Sequence, residues 1–257
     1  MLEEIEIREC TTIAELDACI DLQRRAFGLP DLEISPRRHL VVTQQAGGWT
    51  LGAFVKDQLV GFVHHLVAVR GNDEIIGYSH MMAVAQSYQN KGIGARLKWT
   101  QRERALAEGR RFIRWTWDPM RVRNAHFNLN RLGATARTYA QNFYGTDYVT
   151  DPEEKVEGAR GIDSDRLFAS WNLCSERVED VARDGELKSL GAPVKMIEIP
   201  PNWPLLLKED IEAARQEQLR VRTEFKQAFG AGLVCAGFDR GSQRPRYLLY
   251  EGIEALT

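Results

Sequence analysis

The stretch Val84-Ala85-Gln86-Ser87-Tyr88-Gln89-Asn90-Lys91-Gly92-Ile93-Gly94-Ala95-Arg96-Leu97 reads as a strand, a polar loop with two glycines, and the opening of a helix. Glycines let a backbone approach a ligand closely, and the first N–H groups of a helix have no intrahelical acceptor. With the positive end of the helix dipole, these donors make a nest suited to a diphosphate. The same two glycines also occur at ordinary turns into helices, so spacing alone leaves both readings open. The pattern is neither the G-x-G-x-x-G of dinucleotide-binding folds nor a loop ending in Gly-Lys-Ser/Thr, which points to another phosphate-bearing cofactor. Cys10, Cys19, Cys174 and Cys235 show no C-x-x-C pair or close Cys/His spacing, and the five histidines lack H-E-x-x-H. Buried, reduced thiols and no metal centre are expected.

The elements that must hold this loop follow from periodicity. Ile5 to Cys10 alternates as a short strand, and Thr12 with Glu15 forms a capping-box pair ahead of a helix that ends at Gly28. A second helix runs from Pro36 to about Gln45. The period then changes to two: Trp49–Val55, Leu59–Val69 and Glu74–Val84 form an antiparallel meander with turns at Lys56-Asp57-Gln58 and Gly71-Asn72-Asp73. A helix follows from the glycine loop to Gly109, then a strand at Phe112–Trp117, a helix at Asn124–Leu132 closed by Gly133, and a strand at Thr138–Tyr144. Thr146 to Asp165 reads as a polar surface loop and Glu176 to Pro193 as a charged connector. Strands at Arg166–Leu173 and Val194–Ile199, a helix at Ile211–Phe229, and a hairpin of Leu233–Phe238 with Arg246–Tyr250 complete the chain. This tail loosely echoes the N-terminal element order. The expected class is α/β hung on an antiparallel start.

The 257 residues are 44% hydrophobic, enough for a substantial core, with 34 Lys plus Arg against 36 Asp plus Glu and a formal net charge of -2. That balance gives no global attraction to nucleic acid or to an anionic membrane. No apolar run approaches the roughly 20 residues that cross a bilayer. Met1 to Glu6 begins acidic, unlike a secretory leader, so a cytoplasmic location is expected.

Gln89-Asn90-Lys91-Gly92-Ile93-Gly94, set between a strand ending Met-Ala-Val and a helix, fits the Q/R-x-x-G-x-G/A signature and resembles the GNAT superfamily of acyl-CoA N-acyltransferases. The resemblance covers about residues 5 to 150. Residues 151–257 resemble a C-terminal extension of a bacterial subgroup of acetyltransferases, through Ile197-Glu198-Ile199-Pro200, Arg222-Thr223-Glu224-Phe225 and Tyr247-Leu248-Leu249. It implies a GNAT fold, a mixed and mostly antiparallel sheet with flanking helices, as a catalytic core over 1–150. A β-rich extension over 151–257 then completes or covers the sheet. It also implies that acetyl-CoA or another acyl-CoA is the co-substrate. The amides of Asn90, Lys91, Gly92, Ile93, Gly94 and Ala95, after Gln89, would hold its pyrophosphate. The edge of Met82, Ala83 and Val84 would pair with the pantetheine like an added strand. The implied reaction transfers an acetyl or succinyl group to the amine of a small molecule such as an amino acid. Alternatives are a protein N-terminus or lysine as acceptor, or a CoA-binding protein without turnover. Relatives are often homodimers.

On this resemblance, His80 lies where such enzymes often carry a glutamate or a water-ordering group, and an imidazole pKa of about 6.5 suits a base. It reads equally as a hydrogen-bonded strand histidine. The family's usual thiolate-protonating tyrosine is replaced by Leu129, leaving Tyr139 and Tyr144 as substitutes or as packing residues. Asp118 either binds or deprotonates an ammonium, or merely ends a strand at Asp-Pro. Arg121 and Arg123 suit a substrate carboxylate or a solvated surface. Asn124 and Asn128, one helical turn apart, could both meet pantetheine or acceptor, with Asn124 alternatively an N-cap. His64 and His65 alternate across their strand and receive no role.

Overall fold

A computed structural model describes residues 4–71, 73–148, 161–241 and 243–253. They fall into two compact units divided between Ile113 and Arg114. The boundary expected at residue 150, the Pro152 and Gly158 part of the polar loop, and Asn72 of the predicted turn lie outside the described residues.

In the first unit, strand β1 (Glu6–Glu9) leads to helix α1 (Ile13–Phe27). The Glu15 N–H donates to Thr12 Oγ1 at 3.2 Å and the Thr12 N–H to Glu15 Oε2 at 3.0 Å, the capping box read from the sequence. Helix α2 (Arg37–Gln45) follows Pro36, and then come β2 (Trp49–Val55), β3 (Gln58–Arg70), β4 (Glu74–Val84) and helix α3 (Ile93–Ala107). The strands pair antiparallel in the order β1-β2-β3-β4. Side chains alternate across a strand, so this sheet is apolar on both faces. Phe54, Phe62 and Ala83 pack with Leu16 and Ile20 of α1 and Leu40 of α2. Trp49, Leu51 and Val63 pack with Ile93 and Leu97 of α3.

The pairing of β3 with β4 shifts at one point. His64 opposes Met81 and His65 opposes Ser79, so His80 is the extra residue of a β-bulge. Opposite the bulge, His64 and His65 are both fully buried. The His65 ring stacks on Trp49 with centroids 4.1 Å apart, and its Nδ1 lies 3.2 Å from Gln101 Nε2. Gln101 Oε1 accepts from Lys98 Nζ at 2.8 Å, and Lys98 Nζ also donates to Ser79 Oγ at 3.0 Å. Burial holds the Lys98 pKa well below the usual ammonium range. The chain is packed so tightly that a Cβ on Gly77 would stand 2.2 Å from His65 Cε1.

The second unit begins within β5 (Phe112–Trp117) and continues with α4 (Val122–His126), a π-helical turn Phe127–Arg131, β6 (Thr135–Ala140) and β7 (Arg166–Asn172). Then follow α5 (Glu176–Asp184), β8 (Lys195–Glu198), α6 (Trp203–Glu209), α7 (Ile211–Gly230), β9 (Val234–Asp239) and β10 (Arg246–Tyr250). Its strand order is β5-β7-β6-β9-β10-β8. Strands β9 and β10 form the expected hairpin, and β9 adds to β6, so the tail extends this unit's sheet. The echo of the N-terminus stops at element order, because β8 pairs with the last strand whereas β1 pairs with β2. Two core tryptophans find acceptors across this unit: Trp171 Nε1 donates to the Leu132 carbonyl at 2.7 Å and Trp117 Nε1 to Tyr247 Oη at 3.2 Å. The Tyr247 hydroxyl donates in turn to the Pro119 carbonyl at 2.8 Å. The chain is therefore α/β, with mostly antiparallel strands and flanking helices.

Four local expectations are corrected. Glu176–Pro193 is not all connector: Ser175 caps α5, which buries Val178 and Val181 beneath a charged outer face. The strand placed at Thr138–Tyr144 is β6, shifted to Thr135–Ala140, with Tyr144 in the turn beyond it. The helix at Asn124–Leu132 starts earlier and widens into the π-helical turn. Helix α6, read as no element, is started by the Asn202 side chain accepting from the Leu205 N–H, with Pro204 tolerated in its first turn.

Two measurements check this packing. Gly77→Ala should destabilise the chain by about 2 kcal/mol or more, because the His65 ring is clamped by Trp49 and cannot retreat. Thermal and denaturant melts unchanged from wild type would contradict that clamp. Burial, aided by charge on His80 for His64 and on Arg110 for His65, lowers their pKa values to about 3 and about 2. Unfolded imidazoles titrate near pH 6.5, so below that pH the unfolded chain binds protons that the folded chain refuses. Their contribution is complete above about pH 7 and shrinks on acidification, by roughly 1–2 kcal/mol per histidine between pH 7 and pH 5. Urea unfolding of wild type and His64→Gln at both pH values should show the smaller loss in the variant; equal losses would count against a buried neutral His64.

Candidate functional site

The end of β4 and the start of α3 carry the predicted anion nest. After a short 3₁₀ turn at Gln86–Tyr88, Asn90 at φ 61° and Gly92 at φ 78° both adopt left-handed backbone. Gln89 ties the loop down by donating its Nε2 to the Val84 carbonyl at 3.2 Å. Gly92 is the N-cap of α3 and offers no side chain to it; the first N–H to return to this turn is that of Arg96, which donates to the Gly92 carbonyl at 3.0 Å. The N–H groups of Ile93, Gly94 and Ala95 therefore have no intrahelical acceptor. A Cβ on Gly92 would meet nothing within 4 Å, so its positive φ and not crowding calls for glycine, and the helix start is open. A Cβ on Gly94 would sit 3.5 Å from the Met82 methyl, which places the first turn of α3 against β4. Lys91 Nζ lies 4.9 Å from the centre of the Tyr88 ring, adding one cation beside the open N–H groups. Open amides, the helix dipole and an ammonium suit a phosphate group. Met82 and Val84 are half-buried and Ala83 is buried, with β3 on one edge of all three.

His80 precedes Met82 by one residue, at the bulge. It is exposed, and its Nε2 lies 3.3 Å from Ser35 Oγ. Protein packed around the ring, and charge on His39, lower its pKa to about 4, so it is uncharged at neutral pH. Ser35 is fixed in turn: its N–H donates to Gln23 Oε1 at 3.1 Å, and Gln23 is buried. His80, Met82–Val84 and Gln89–Ala95 thus share β4, the loop that follows it and the start of α3.

The other predicted site residues belong to the second unit. Asp118 Oδ1 accepts from the Met120 N–H at 2.8 Å, and Asp118 Oδ2 accepts from Arg121 Nε at 3.4 Å, so this pair closes the turn after β5. Arg123 and Asn124 are exposed on α4. Asn128 is buried, its Oδ1 accepting from Trp115 Nε1 at 3.2 Å; the π-helical turn breaks the four-residue spacing that would align it with Asn124. Tyr139 donates its hydroxyl to Asp165 Oδ2 at 2.6 Å, and burial together with that carboxylate pushes its pKa up, so it holds its proton. Asp165 also accepts from Arg222 Nε at 2.8 Å. Tyr144 is exposed, stacks on Tyr148 with centroids 4.9 Å apart, and shares a 3.2 Å hydrogen bond with Thr116 Oγ1.

Ser35 and His39 went unread in the sequence because their partners are remote in the chain, and His64 was set aside because alternation alone shows no partner. Among the described residues no His, Cys, Asp or Glu cluster has a metal-binding arrangement, and no helix is long and apolar enough to cross a membrane. The cysteines are free, and Cys10 and Cys19 are buried with sulfurs 3.9 Å apart.

The profile of the acetyltransferase (GNAT) family matches residues 16–133, which include β4, the loop and α3. A search of curated proteins found no match. Among solved structures, the ribosomal-protein-S18-alanine N-acetyltransferase of Escherichia coli is similar, with a TM-score of 0.52 and 14% identity over 67% of this chain and 96% of that one. An N-acetyltransferase of Staphylococcus aureus gives 0.51 and 14% over 66% and 99%. A GNAT-family acetyltransferase of Streptococcus pneumoniae gives 0.50 and 16% over 65% and 98%. At such identities these likenesses speak for the fold, and the profile match for a GNAT-like segment over residues 16–133. Residues 16–133 are thus similar to the acetyltransferase (GNAT) family, whose members are CoA-dependent N-acyltransferases.

Proposed function

We propose that this chain transfers an acetyl group from acetyl-CoA to the amine of a small molecule, with residues 1–150 as the catalytic core, 151–257 as an extension, and the cytoplasm as its location. The carrying observation is the uncapped start of α3 beside β4, which supplies open N–H donors where the family holds its co-substrate. In this reading the N–H groups of Asn90 to Ala95 bind the pyrophosphate, Lys91 adds a countercharge, and Gln89 keeps the loop in shape. The main chain of Met82, Ala83 and Val84 lies along the pantetheine, and one of its N–H groups stabilises the developing oxyanion.

His80 is the base in this reading. It takes one proton from the acceptor nitrogen, whose lone pair forms the new C–N bond to the thioester carbonyl carbon. The C–S bond breaks with its electron pair on sulfur, and the thiolate regains a proton from solvent or a nearby acid, giving amide and free CoA. Proximity supplies most of the acceleration. Asp118, Arg121, Arg123, Asn124, Asn128, Tyr139 and Tyr144 stand as candidates for acceptor binding or thiolate protonation. Of these, Tyr144, Arg123 and Asn124 present exposed side chains.

Calorimetry with acetyl-CoA and a thiol-release assay over a panel of amines test the reading. Gly92→Val should weaken acetyl-CoA binding about tenfold or more, since a β-branched residue resists the left-handed backbone. His80→Ala should leave that affinity intact and lower kcat by about 100-fold. No heat from acetyl-CoA with the wild-type chain would end the proposal; an undiminished His80→Ala would remove the base.

A further inference from the structure

The mechanism leaves His39 and His64 unused, although both crowd His80. Ring centroids are 5.2 Å apart for His39 and His64, 5.5 Å for His39 and His80, and 6.1 Å for His64 and His80. The three rings come from α2, β3 and β4, and all lie in the first unit. Thr50 Oγ1 engages His64 Nδ1 at 2.8 Å and so fixes that ring, while Ser35 Oγ faces His80 Nε2 at 3.3 Å. Two nitrogens are left over: His64 Nε2 and His39 Nε2 are buried with no protein group in hydrogen-bonding reach. His64 itself is fully buried.

Buried polar atoms in folded proteins are nearly always paired, with protein or with an ordered water, and a buried water needs two to four polar partners. The two unpaired Nε2 atoms, on rings whose centroids are 5.2 Å apart, both call for such a partner. We propose that His39 and His64 hold an ordered water at their Nε2 atoms beside His80, and that this water-bearing triangle orients His80 and stabilises the imidazolium it forms on taking the acceptor's proton. His39 and His64 are then positioning residues: neither touches substrate, and the proton leaves His80 by its solvent-facing side. The water's dipole supplies what a second charged group would supply elsewhere, without adding charge to a crowded interior. This role rests on His80 being the base described above.

The test uses the full chain. Long-range correlation spectra of the histidine ring nitrogens, with transfer from water, should show contact between water and Nε2 of both His39 and His64; silence at both overturns the proposal. This readout needs no turnover, so it decides the water even if the wild-type chain releases no thiol, a result that would remove the acyltransfer reading and the positioning role with it. In kinetics, His64→Asn keeps a group able to reach Thr50 but removes the one at Nε2, whereas His64→Gln places a polar group near Nε2. Expected are a kcat lowered about tenfold or more in His64→Asn, unchanged acetyl-CoA affinity and acceptor KM, and partial recovery in His64→Gln. His39→Ala, at a half-buried position, should give the same split should His64 variants fail to fold. Full kcat in His39→Ala, or equal kcat in the Asn and Gln variants, overturns the positioning role.

Discussion

The first turn of α3 begins with its amide protons unspent by any side-chain cap, and the packing around the helix compensates for that. A helix usually has its first N–H groups covered by a side chain from the N-cap, as Thr12 does for α1. At α3 the cap is Gly92, which gives nothing, and the donors stay open. Leaving them open is tolerable only because other contacts hold the helix in place. Ile93 and Leu97 are buried against Val63 and Trp49, the Gln89 amide fastens the loop to Val84, and the first turn rests on Met82. The stability missing at the tip is thus made up along the shaft.

A second constraint concerns charge. Both faces of the sheet at the bulge carry nitrogen-bearing side chains: buried His64 with half-buried His39 on the α2 side, and buried His65 with Lys98 and Gln101 on the α3 side. Charging His64 or His65 in this interior would require solvation that the packing does not supply, so burial keeps both imidazoles neutral and lowers the Lys98 pKa. Neutral groups still make hydrogen bonds, and in a low-dielectric setting those bonds orient side chains firmly. The bulge at His80 is the place where this polar interior reaches the surface.

Much of this was legible from local sequence. Thr12 with Glu15, the alternation of β2 to β4, and Gly92 with Gly94 before a helix are signals carried by neighbours in the chain, and the structure reproduces them. The misses share another cause. Val178 and Val181 are the only buried apolar residues of a charge-rich helix, so α5 was hidden until its buried face had a partner. The π-helical turn is a tertiary adjustment that no spacing announces, and it separates Asn128 from Asn124. Tyr139 meets an aspartate 26 residues away and that aspartate meets Arg222, 57 residues further on. The histidine triangle joins residues 39, 64 and 80 through a bulge, and a bulge leaves no trace in a pattern of alternation.

These constraints bear on which amine a base such as His80 could serve. Asp118 is committed to the Met120 N–H and Arg121, and Tyr139 to Asp165, so two side chains with familiar acid–base chemistry are occupied by structure. What remains at the bulge is an imidazole whose pKa of about 4 makes it a weak base. A weak base can only assist an acceptor that already spends much of its time unprotonated. An α-amino group, with a pKa of about 8, meets that condition at neutral pH far better than a lysine side chain at about 10.4. In the proposed chemistry, the desolvation that lowers the His80 pKa therefore suits an α-amine better than a lysine side chain, before any contact with the rest of the acceptor is considered.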